Sequence, residues 1–210
     1  MSLSSHVLSA VGAFHRAVGV DRLSGLDQRE QLVMVALRAT LIAEEATEYW
    51  EALGHLDSAR NASTLQHAAK EAADLLYVLA GTADVLGVSS GGVARVQYPK
   101  GSFLRDQVLR AQIRILVDEL THLGRLIHHR EDTLDAVDAL AADLHHVACS
   151  LQHSAVGHGI PLQEAFDAVH ASNMSKINPE TNRPFERRED GKVLKGPSYR
   201  EADLSWLQAA

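Results

Sequence analysis

Apolar residues recur every three or four positions along most of the chain, a spacing that gathers them on one face of a helix. Val7, Val11, Phe14 and Val18 make one such stripe and predict a helix over residues 6–19, closing near Gly19. Asp27-x-x-Glu30 has the form of a capping box and opens a long helix that runs to about Leu56. Ser63-x-x-Gln66 has the same form, and its helix stops at Gly87, a position suited to a left-handed C-terminal cap. A short helix from about Ser90 to Val96 precedes Tyr98-Pro99-Lys100-Gly101, which breaks the pattern. Beyond it the periodicity resumes in a long helix from about Phe103 to Arg130 and another through Ala139–Val147. The prediction is an all-α fold, a helical bundle.

Two groups of acidic residues interrupt these stripes. On the second helix Glu45 and Glu48 project together and Glu44 lies one turn from Glu48; on the third, Glu71 pairs with Asp74. Solvated helix faces would explain either group alone. However, Asp74 sits within Ala72-Ala73-Asp74-Leu75-Leu76-Tyr77-Val78-Leu79-Ala80, where almost no polar face is left, and Glu44-Glu45 follow an apolar run. Carboxylates there need partners. Two such helices packed antiparallel bring Glu44, Glu45, Glu48, Glu71 and Asp74 to one point, an oxygen-only ligand set suited to Mg2+, with Mn2+ the alternative.

The plan then repeats. Val117-Asp118-Glu119-Leu120-Thr121-His122 lays over Ala43-Glu44-Glu45-Ala46-Thr47-Glu48, and Ala139–Val147 lays over Lys70–Val78. Gly159-Ile160-Pro161 matches Gly87-Val88-Ser89 in the same way, and Ala168-Val169 matches Arg95-Val96. The chain reads as two tandem copies of one helical unit, residues 1–100 and 101–177, followed by a tail over 178–210. Where the first copy has Glu48 and Glu71 the second has His122 and Leu140, so the second has lost the full cluster. Eight of the twelve histidines fall in the second copy, and Glu119-x-x-His122 and Asp143-x-x-His146 raise a softer transition-metal site as a competing reading to histidines on a decayed one.

Charge adds a constraint. A formal net charge of -7 argues against nucleic-acid binding, so an anionic substrate needs bound metal and a local basic patch. The tail supplies one: between Met174 and Arg200 it has seven Lys or Arg against four acids, and it holds three of the five prolines. An extended segment, mobile until a ligand orders it, is expected there. No apolar stretch is long enough to span a membrane, the single Cys149 excludes an intrachain disulfide, and the first residues lack the form of a secretion signal. A cytoplasmic location and no membrane partner are the expectation.

Glu-Glu-x-x-Glu followed by Glu-x-x-Asp resembles the signature of the all-α nucleoside triphosphate pyrophosphohydrolases, which include MazG-like proteins, phosphoribosyl-ATP pyrophosphohydrolase and the dimeric dUTPases. Ala13-Phe14-His15-Arg16-Ala17-Val18-Gly19, Leu37–Glu45, Ala72–Val78, Asn173-Met174-Ser175-Lys176 and Asp190-Gly191-Lys192-Val193-Leu194-Lys195 are similar to MazG-like members with dUTPase-type cores. The resemblance implies Mg2+-dependent hydrolysis of a nucleoside triphosphate to monophosphate and pyrophosphate, with dUTP the first guess. Alternatives are phosphoribosyl-ATP as substrate, or an inactive nucleotide-binding regulator. It implies Glu44 or Glu45 positioning the attacking water, and Phe14, His15, Arg16, Tyr77, Asn173, Lys176, Lys192 and Lys195 at the substrate. It also implies two copies packed about a pseudo-two-fold axis as a pseudo-dimer within one chain, with room for a further homodimer.

Overall fold

A computed structural model describes residues 3–88, 102–187 and 193–208. The helix expected over 90–96, the break at 98–101, and Lys192 with its neighbours 190–191 lie outside those residues. Helix α1 (Ser5–Ala17) is followed by a 3-10 turn (Leu23–Gly25), α2 (Gln28–Ser58), α3 (Ala62–Leu86), α4 (Ser102–His129), α5 (Leu134–Gly157) and α6 (Leu162–Met174). Strands β1 (Ile177–Asn178) and β2 (Arg183–Pro184) then form a small antiparallel ladder with Ile177 opposite Pro184. The fold is an all-α helical bundle.

Local chemistry fixes the helix ends. Asp27 accepts from the Glu30 amide while the Glu30 carboxylate accepts from the Asp27 amide, both at 2.9 Å, as the sequence predicts. The third helix starts otherwise. Its cap is Asn61, which exchanges bonds of 3.1 Å with Thr64, two residues ahead of the expected Ser63. Gln66, the expected partner of Ser63, instead donates to the Leu207 carbonyl at 2.9 Å. Gly87 ends α3 with φ +75°, in the left-handed conformation that glycine adopts without strain.

α2 packs on α3 and α4, α4 packs on α5, and α3 also packs on α5, α1 and α6. Helix α3 is therefore central, and its composition suits that place. Ala68, Ala69, Ala72, Ala73, Ala80 and Ala83 are all buried and let neighbouring helices approach closely. A polar network crosses the bundle. The fully buried Tyr49 hydroxyl of α2 lies 2.8 Å from Ser154 Oγ of α5, which donates to Asp106 of α4 at 2.5 Å; His158 Nε2 lies 3.0 Å from the other Asp106 oxygen. Every member has a partner, so the network fixes how the helices sit instead of opposing burial.

The described part of the tail is pinned down, in contrast to the mobile segment its composition suggests. Ser198 donates to the Ser175 carbonyl at 2.8 Å, and the Arg200 amide donates to Ser175 Oγ at 2.8 Å. Leu204 and Leu207 then enter the main hydrophobic core. Nearer its start the tail meets α1: Ile177 and Val193 pack with Ala17 and Val18.

Candidate metal centre

α2 and α3 run antiparallel, and the facing pairs keep one register. Arg38 lies against Gly81, Glu45 meets Asp74, and the charge of Glu48 acts on Glu71. One oxygen each from Glu45, Glu71 and Asp74 fall within 4.8 Å of one another. Among the described residues these three form the acidic cluster that could hold a metal ion. Glu71 is buried at 4% exposure, whereas Glu44 and Glu48 are exposed.

Three carboxylates this close repel one another, and the carboxyl pKa values report it. Burial first, then the charges of Asp74, Glu48 and Glu71, push Glu45 up to about 7 despite the opposing pull of Lys70. Burial also raises Glu71, against the pull of Lys70. Lys70 is the group that holds the cluster together: its ammonium donates to Glu71 at 2.9 Å and to Asp74 at 2.8 Å. Burial alone would lower its pKa, but Asp74 and Glu71 outweigh that and raise it. The second oxygen of Glu71 is sealed from solvent without a hydrogen bond. An orphaned buried carboxylate oxygen, in an all-oxygen set, fits a hard divalent cation.

Next to the cluster the expected substrate residues divide. Tyr77 packs edge-on against Phe14 with centroids 5.9 Å apart. Its hydroxyl accepts from Asn173 and lies 3.2 Å from His170 Nδ1, while Lys176 donates to Asn173 at 2.7 Å. Phe14, Tyr77, Asn173 and Lys176 thus form one connected group joining α1, α3 and the end of α6. His15 lies over Gly81, beside Arg38. It is buried and bonds Asp84 through Nδ1 at 2.8 Å. Arg16 lines a basic cavity of about 730 Å³ with Arg183 and Arg187. Lys195 is exposed, 4.4 Å from the Tyr199 ring and 3.7 Å from Glu201. Sequence reasoning passed over Lys70, Arg38, Asp84 and His170; the i, i+4 spacing of Lys70 and Asp74 was the available signal for the first of them.

The corresponding positions of the second half look different. Leu140 is fully buried, His122 is exposed, and His146 lies 3.7 Å from Asp143. Glu119 is hydrogen-bonded to Asp143, and burial first and that neighbour second push its carboxyl up to about 7.

The carboxylates that converge across the antiparallel α2–α3 pair lie within the part of the chain that resembles a known family of pyrophosphohydrolases. Residues 20–96, which include α2 and α3, match the family model of phosphoribosyl-ATP pyrophosphohydrolase. Along more of its length the chain is 28% identical to an uncharacterized protein of Acanthamoeba polyphaga mimivirus, over 89% of this chain and 77% of the relative. No solved structure matches.

Proposed function

We propose that the protein is a Mg2+-dependent pyrophosphohydrolase of a non-canonical or surplus deoxynucleoside triphosphate, dUTP being the first choice. The observation that carries this is the convergence of Glu45, Glu71 and Asp74 within 4.8 Å around an orphaned carboxylate oxygen. Those three residues, with Glu48 beside them, would hold the cation. When bound, a divalent cation neutralises phosphate charge and acidifies water. The attacking water adds its oxygen to the α-phosphorus, the bridging α–β bond breaks, and pyrophosphate leaves with the electron pair. Glu45 faces the cluster and is our choice for the carboxylate that takes the water's proton, over the exposed neighbour Glu44. Lys70, which bridges Glu71 and Asp74, would have to give up those bonds for the carboxylates to hold a cation.

We read the chain as two tandem copies, of which the first keeps the cluster. The buried Leu140 in the place of Glu71, and the hydrogen bond between Glu119 and Asp143, support a second half that no longer holds a cation. The active site is then composite: carboxylates come from the first half, while Asn173, Lys176, Lys192 and Lys195 come from the second half and tail. The link from Tyr77 through Asn173 to Lys176 supports this arrangement.

The name of the matched family favours phosphoribosyl-ATP as a second reading of the substrate. Pyrophosphate release, measured with Mg2+ across canonical and modified triphosphates and phosphoribosyl-ATP, separates the two. Turnover of a deoxynucleoside triphosphate above phosphoribosyl-ATP is expected. Absence of turnover on every substrate would leave a nucleotide-binding protein.

A further inference from the structure

Arg38 is not accounted for by the carboxylate cluster. The residue is 7% exposed, and among the described residues its side chain makes no hydrogen bond or ion pair; Nε is sealed from solvent without an acceptor. Burial lowers its pKa to about 10, which still leaves it charged at neutral pH. The nearest opposite charge is Asp84, whose oxygens are engaged by His15 at 2.8 Å and Arg22 at 3.6 Å. A buried guanidinium without an acceptor is costly, and such a group persists where a ligand brings the acceptor.

Its position says which part of a ligand that is. Arg38 precedes Glu45 by seven residues on α2, and Gly81 follows Asp74 by seven on α3, so both lie about 10 Å along the helix pair from the carboxylates. At the far end, Arg38 and His15 meet over Gly81, where a Cβ would stand 2.9 Å from Arg38 Nη1 and 3.2 Å from the His15 ring. Asp84 accepts from the Nδ1–H of His15, so Nε2 carries a lone pair; burial, then Arg38, keeps the ring neutral. A donor-only fork and an acceptor nitrogen therefore sit side by side.

We infer that Arg38 and His15 read the far edge of the substrate's nucleobase, and select bases with a keto oxygen at the ring position farthest from the sugar over bases with an amino group there. The keto oxygen accepts from Arg38, and the adjacent ring N–H donates to His15 Nε2. An amino group turns donor against donor and leaves buried groups unmatched. The inference rests on the function proposed above, because the triphosphate at the cluster is what directs the base towards Arg38.

The test compares wild type, Arg38→Met and Gly81→Ala. Gly81→Ala requires movement mainly of the flexible end of Arg38 and of the His15 ring, so it displaces the fork while the bundle stays folded. The readouts are calorimetric binding of dUMP and dCMP, and pyrophosphate release from dUTP, dTTP, dGTP, dCTP and dATP. Wild type should favour the keto bases by roughly tenfold or more. In both variants that ratio should fall towards one, chiefly through KM, with Mn2+ affinity unchanged. A wild type without keto preference overturns the inference, as do variants that slow every substrate equally and keep the ratio. Selective dUMP binding without turnover would instead leave the inference standing and remove the hydrolase reading, and turnover without selection would do the reverse. If Arg38→Met fails to fold, the wild-type ratio and Gly81→Ala decide.

Discussion

At Glu71 stability and cation binding pull in opposite directions. Its carboxyl is buried beside Asp74, with one oxygen held by Lys70 and the other orphaned, so without a cation it is a source of strain. Glu71→Leu, which installs what Leu140 already is, should lower turnover by at least about a hundredfold, as loss of a residue that holds the metal does. Metal-free thermal stability should stay the same or rise. Near-normal turnover would place the site elsewhere. Glu119 allows a cleaner reading of charge, because nothing in the proposed chemistry uses it. Its folded pKa lies near 7, above the ordinary carboxyl range, so the folded protein binds this proton more tightly than the unfolded chain. The stabilisation is complete below the ordinary carboxyl pKa and is lost as pH rises through about 7. Between pH 5 and pH 8, urea denaturation should therefore show a loss of stability in wild type that is smaller in Glu119→Gln, whether or not Mg2+ is present. Glu45 shifts in the same direction, but its share should vanish when Mg2+ is added. Equal pH slopes in wild type and Glu119→Gln would show that the folded protein does not hold the Glu119 proton to higher pH than the unfolded chain does.

Among the elements, the helices were legible in the sequence and the docked tail was not. The stripes of α1 and α2, the Asp27 box and the Gly87 cap are local signals, and local signals survive folding. Ser63 was the wrong cap because Asn61 and Thr64 satisfy the same rule two residues earlier, and sequence spacing does not choose between overlapping boxes. The five carboxylates were visible as a set, but which of them converge depends on the register of α2 against α3. That register brings in Glu45, Glu71 and Asp74 and leaves Glu44 at the surface. The burial of His15 was not legible in the sequence because its partner Asp84 is 69 positions away. In the tail, prolines and charges obscured two anchors. Leu204 and Leu207 are buried at 6% and 8% exposure, and replacing both with Ala should cost roughly 2 kcal/mol each, measured by denaturant midpoint. A chain ending near Ile177 should therefore be destabilised as well as slow, and unchanged stability of that truncation would mean the tail only rests on the surface.

The two halves of the whole molecule should answer cations differently. Calorimetry with Mn2+ and a substrate analogue should find a single class of carboxylate cluster per chain. Leu140→Glu should not create a second, because His122 still interrupts the set and a new carboxyl is placed in a fully buried position. Two equivalent clusters in wild type would contradict the decay of the second half. Helix α3 has a further consequence. It is enclosed by α1, α2, α5 and α6 and carries Glu71, Asp74, Tyr77 and Gly81 along one length. A helix with neighbours on all sides cannot fray without opening those neighbours, so its amide hydrogens from about Leu65 to Val85 should exchange with solvent deuterium only when the entire protein unfolds. The amides of α1, which rests on one side of α3, should exchange through smaller openings. Denaturant dependence of exchange, read residue by residue, would separate the two: protection in α3 should follow the global unfolding free energy, and protection in α1 should level off below it.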